Sequence, residues 1–191
     1  MALELPDSAP VRAALDVVTR FSPPALAHHA VRSTLLASDL GRRHGIDFDV
    51  DVLAVAGLLH DIGLVRAFDG HHEHFEVAGG NVAWVLAAGA GWPDGRRDRT
   101  ARAVVDHMLD EDDVPVGERP EGHLLARATG VDVSGRGAEL WPADVLAQVE
   151  QRWPRLDFAD VFVPCLRDQA ARKPDGVVAA FVAGGGADRV R

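Results

Sequence analysis

No stretch of this chain alternates apolar and polar residues as a half-buried strand requires, and the sequence contains no tyrosine. Its apolar residues recur instead at helical spacing, in segments punctuated by proline and glycine. That pattern restricts the chain to an all-α fold. Ser8 and Pro10 mark the start of a first helix running to about Phe21, with Leu15, Val18 and Phe21 inward. Ser22-Pro23-Pro24 breaks it, and a second helix is expected from Pro24 to His44, stopped by Gly45. A third starts near Asp49 or Asp51 and ends around Leu59-His60-Asp61-Ile62-Gly63. Further helices are expected over about 74–88, 94–109, 121–132, 142–152, 157–172 (kinked at Pro164) and 177–182. Gly184-Gly185-Gly186 ends the last and opens a frayed tail.

With 191 residues and 47% hydrophobic content, one domain with a substantial core is expected. The division is residues 1–22 as an N-terminal helix packing on the core, 23–183 as the body, and 184–191 as a flexible tail. A formal net charge of −9 argues against binding nucleic-acid backbones. No apolar run reaches the roughly 18–20 residues of a membrane helix. The first thirty residues carry Glu4, Asp7 and Asp16 and no apolar h-region, so no signal peptide is expected. The single cysteine, Cys165, excludes an internal disulfide and a cysteine zinc cluster. A cytoplasmic protein is expected. The detached first helix makes a homodimer a candidate.

The nine histidines are clumped. His29, the pair His60-Asp61, His107 and Asp132 each lie within or at the end of an expected helix. Imidazole and carboxylate suit a borderline divalent metal such as zinc or ferrous iron, and helices of one bundle can turn such groups inward together. His71-His72-Glu73-His74 reads as an exposed loop, and the acidic segment from Asp110 to Arg119 as a lid or rim.

The series His29 … His60-Asp61 … Asp132, with Ala56-Gly57-Leu58-Leu59 before the pair and Ile62-Gly63 after it, resembles the signature of the HD-domain superfamily of metal-dependent hydrolases. His28-His29-Ala30-Val31-Arg32-Ser33, Phe75-Glu76-Val77-Ala78-Gly79-Gly80 and Thr129-Gly130-Val131-Asp132-Val133 are similar to its cyanamide-hydratase-like branch, as are Gly135-Arg136-Gly137 and Arg172-Lys173-Pro174. The resemblance implies an all-α, single-domain helical bundle with a metal held by His29, His60, Asp61 and Asp132. Dinuclear members of that superfamily carry two further histidines. Phe75 stands where one is expected, which implies a mononuclear site, although a shifted backbone lets His72 or His74 fill the gap. Zinc is the favoured metal, with iron(II) or manganese as alternatives.

On this reading, hydroxide formed at the metal adds to a nitrile-like, cyanamide-type carbon of a small-molecule substrate. Asp61 takes the proton of the attacking water, and His107 hydrogen-bonds substrate, shuttles a proton or serves as an extra ligand. The alternative is a phosphohydrolase of nucleotides or other phosphate esters. Its phosphate needs cations, and Arg32, Arg136 and Lys173 are the candidates. A diiron oxygenase and a non-catalytic binding module complete the alternatives. The lost ligand at Phe75 counts against the oxygenase, and the intact His-Asp pair against the binding module.

Overall fold

The most continuously apolar stretch of the chain becomes its central helix. In the computed structural model, which describes residues 3–191 apart from the Glu111 side chain, α3 (Val50–Leu59) is buried on every face from Val52 onward. A helix apolar all round has to be enclosed, and α3 touches α1 (Ala9–Phe21), α2 (Pro24–His44), α4 (Phe75–Gly89), α5 (Asp94–Asp106) and α6 (Pro120–Ser134). Three further helices follow: α7 (Ala143–Arg152), α8 (Phe158–Arg172) and α9 (Val177–Ala183). Among the described residues there are nine α-helices and no strand, so the fold is all-α.

Asp49 fixes the start of α3. Its carboxylate accepts from the backbone N–H groups of Asp51 and Val52, both at 3.1 Å. The guanidinium of Arg96 forks onto the same carboxylate, with two bonds of 2.8 Å tying α5 to the cap. Gly45 ends α2 in the left-handed conformation, φ 65°. Gly57 sets how closely α2 and α3 approach. A Cβ there would lie 2.4 Å from Thr34 Oγ1, and that hydroxyl is already fixed on the Ala30 carbonyl at 2.8 Å.

Two parts of the fold depart from the sequence expectation. In α1 the inward residues are Val11, Ala14 and Val18, while Phe21 is 44% exposed and meets the Phe68 ring edge-on. Ala14 is fully buried on this face. This helix packs on α3, α4 and α2 of its own chain.

The second departure is the segment 184–191. It folds back as a 3₁₀ turn at Ala187–Arg189 with Ala187 buried. The Arg191 N–H donates to the Val133 carbonyl at 3.1 Å, and its guanidinium donates to the Val131 carbonyl at 3.0 Å. Both oxygens belong to the last turn of α6, whose carbonyls run out of intrahelical partners, and the Val131 carbonyl also accepts from the Gly135 N–H at 2.9 Å. The segment is therefore held by the acceptors it satisfies. Among the described residues, no helix is long and apolar enough to cross a membrane.

Candidate metal centre

The end of α3 delivers His60 and Asp61 to the interior. The helix stops at Leu59, and a 3₁₀ turn at Ile62–Leu64 redirects the chain. Gly63 makes that redirection possible, since a Cβ there would fall 2.0 Å from the Phe75 carbonyl oxygen at the start of α4. His29 reaches the same place from the first half of α2, and His107 from the end of α5. All four residues are between 1 and 6% exposed.

Each histidine is oriented by its Nδ1. His29 Nδ1 donates to Asp132 Oδ2 at 2.7 Å, His60 Nδ1 to the Gly57 carbonyl at 2.7 Å, and His107 Nδ1 to the Val104 carbonyl. That leaves three Nε2 lone pairs turned toward Asp61. The separations from Asp61 oxygens are 3.3 Å for His29, 3.2 Å for His60 and 3.7 Å for His107. His29 Nε2 and His60 Nε2 stand 3.1 Å apart. Two such lone pairs repel unless a proton or a cation lies between them. Asp61 Oδ2 is buried and has no hydrogen-bond donor. Borderline nitrogen donors around an orphaned carboxylate oxygen fit a divalent cation of the zinc or iron type. Ligand atoms of His29, His60 and Asp61 lie within 4.8 Å of one another, and these residues form the metal-capable cluster.

The predicted ligands divide. His29, His60 and Asp61 come together. Asp132 lies behind His29, on its Nδ1, rather than beside the Nε2 atoms. A carboxylate there fixes the tautomer and raises the basicity of a ligating imidazole. Arg32 holds that carboxylate in turn: Nε donates to Oδ1 at 2.8 Å, Nη2 to Oδ2 at 2.7 Å, and Nη1 to the Trp153 carbonyl at 3.0 Å. Expected as a substrate cation, Arg32 is 1% exposed and fully engaged by the protein. Lys173 is also buried, bonded to Asp69 at 3.1 Å and Gln169 at 2.7 Å, outside the residues that line the pocket. Arg136 does line it, with Nη1 on Asp110 at 3.2 Å. His72 is exposed and His74 half-buried, and neither joins the cluster, whereas Phe75 is buried with its ring edge-on to His107 at 5.7 Å.

Burial works against ionising every group here, and hydrogen bonding decides which ones charge. His29 is held above the ordinary imidazole value: burial opposes its charge, but the neighbouring Asp132 and Asp61 carboxylates outweigh that cost. His107 lacks such support, and burial followed by the neighbouring His60 pushes it down to about 3. Burial likewise penalises the Asp61 and Asp132 carboxylates. His60 and His29 around the first, and His29 and Arg32 around the second, hold both well below the usual carboxylate range.

The cluster forms the floor of a cavity of about 740 Å³. Sequence reasoning missed most of its wall. Phe162 and Leu166 on α8 and Phe181 on α9 line it, and Arg189 comes from the segment expected to fray. The signal for α8 was present in the four-residue spacing of Phe158, Phe162 and Leu166, all buried. Asp110 and Asp113 place the acidic loop at the rim.

The HD domain family model matches residues 26–120, a span that contains His29, His60, Asp61 and His107 but not Asp132. Two curated relatives from Saccharomyces cerevisiae, cyanamide hydratase DDI2 and cyanamide hydratase DDI3, are each 29% identical over 133 residues. The match covers 68% of this chain and 58% of each relative, so the chain spans less than two thirds of the proteins it resembles.

Proposed function

We propose that this chain, whose residues 26–120 match the HD domain family, is a mononuclear metal-dependent hydratase, adding water across the C≡N bond of a nitrile-like substrate. The observation that carries this reading is the convergence of the His29, His60 and His107 Nε2 atoms on Asp61, whose Oδ2 has no hydrogen-bond partner, at a largely apolar pocket. His29, His60 and Asp61 would hold a divalent cation, which would supply Lewis-acid chemistry and acidify water there.

The chain's own residues do the rest. Asp132 and Arg32 keep His29 pointing its Nε2 inward. His107, uncharged at neutral pH, offers a lone pair rather than a proton, which favours the extra-ligand role among its sequence alternatives. The carboxylate of Asp61 is the group placed to take the proton of the attacking water. The resemblance to the two cyanamide hydratases supports a C≡N substrate.

The phosphate-ester alternative is weakened by the cations. Arg32 and Lys173 are committed within the fold, and of the cations that line the pocket, Arg136 is bonded to Asp110. The test is urea formation from cyanamide by zinc- or iron-loaded protein, against phosphate release from deoxynucleotides. Urea formation that disappears in Asp61→Asn supports the reading; phosphate release without urea formation overturns it.

A further inference from the structure

The cavity is far larger than a substrate of three heavy atoms needs. About 740 Å³ falls within the roughly 300–1,000 Å³ range of sites that enclose drug-sized ligands. Its character changes with depth. The floor is the polar cluster, and an apolar wall begins directly beside it, since the Phe162 ring lies 5.7 Å from the His29 ring. Leu166, Met108, Val133 and Phe181 also line the cavity. Phe162 is stacked on Phe158 at 4.8 Å, and the Phe181 ring rests on Gly186, where a Cβ would lie 2.5 Å from it. The wall is therefore braced from behind by the folded-back segment.

We propose that the substrate is a substituted cyanamide or related nitrile bearing an aryl-sized apolar group, with its C≡N carbon at the His29–His60–Asp61 floor and its apolar group against Phe162, Leu166 and Phe181. This rests on the hydratase reading. Water's oxygen bonds to the nitrile carbon, the C≡N bond becomes a C–N single bond, and both water hydrogens finish on nitrogen. N-benzylcyanamide thus gives N-benzylurea with no other reactant.

The test compares cyanamide with N-benzylcyanamide as substrates, and urea with N-benzylurea as non-reacting probes whose binding to zinc-loaded protein is followed by calorimetry. Burying a phenyl group should tighten binding roughly tenfold to hundredfold. Val177 lines the outer pocket and is 41% exposed, so Val177→Trp fills that space without disturbing the core. The expected result is a preference for the benzyl compounds in both binding and kcat/KM, lost in Val177→Trp while cyanamide turnover persists. Cyanamide turnover with no benzyl preference overturns the substrate class and leaves the hydratase reading intact. Benzyl-selective binding with no turnover of either nitrile overturns the hydratase reading, and the nitrile assignment with it.

Discussion

Replacing Arg32 with methionine removes a cation that no solvent can replace. Arg32 is 1% exposed, and its two bonds of 2.8 and 2.7 Å hold the Asp132 carboxylate. In Arg32→Met that carboxylate stays buried with His29 at 2.7 Å and the more distant Arg155 at 3.5 Å. Breaking a buried pair from one side costs about 3–5 kcal/mol, a large part of the roughly 5–15 kcal/mol that holds a domain together. At about 2–4 °C per kcal/mol for a chain of this size, Tm should fall by roughly 6–20 °C.

The pH dependence gives the loss a signature. The folded pKa of Asp132 is depressed, so its contribution is complete above the ordinary carboxylate value and disappears as pH falls through the folded one. The deficit of Arg32→Met relative to the parent should therefore be greatest at neutral pH and shrink below about pH 4. Thermal denaturation followed by circular dichroism at pH 7 and pH 3.5 measures both. The double variant Arg32→Met/Asp132→Leu removes both charges and should recover part of the neutral-pH loss. A neutral-pH Tm within about 2 °C of the parent, or a deficit that grows in acid, refutes the reasoning.

Asp132→Ala should weaken metal affinity about 10- to 100-fold without abolishing it, measured by competition with a chelator, because Asp132 orients His29 from behind. In metal-free protein the His107 imidazole signals should not titrate between about pH 5 and 8 by NMR, since its pKa is pushed down to about 3. Gly57→Ala should lower stability by about 1–3 kcal/mol in urea denaturation, because the new methyl meets Thr34 where α2 and α3 touch. His72→Ala/His74→Ala should retain full metal content by elemental analysis, because neither side chain joins the cluster.

The helices were legible because their ends carry local chemistry. Gly45 stops α2 and Asp49 caps α3 through interactions within a few residues, and both positions were visible in sequence. The His-Asp pair was legible for the same reason, being one short segment between an apolar helix and Ile62-Gly63. What sequence did not show depends on distance along the chain. The placement of Asp132 behind His29 is set 103 residues away, and residue type alone does not say which side of an imidazole a carboxylate occupies. The engagement of Arg32 has the same origin, because a conspicuous cation near a ligand histidine reads equally as substrate binding or as support. The segment 184–191 looked unstructured because its three glycines disfavour helix. Its order comes from donors matched to the carbonyls at the end of α6.

The proposed activity requires a buried, single-metal site built on the His-Asp pair. Its most direct test is metal content per chain by elemental analysis, for the native protein and for His60→Ala/Asp61→Ala, with circular dichroism confirming that the variant remains folded. The predicted result is close to one equivalent of zinc or iron in the native protein and almost none in the variant. Equal metal in both proteins, or two equivalents in the native one, contradicts it.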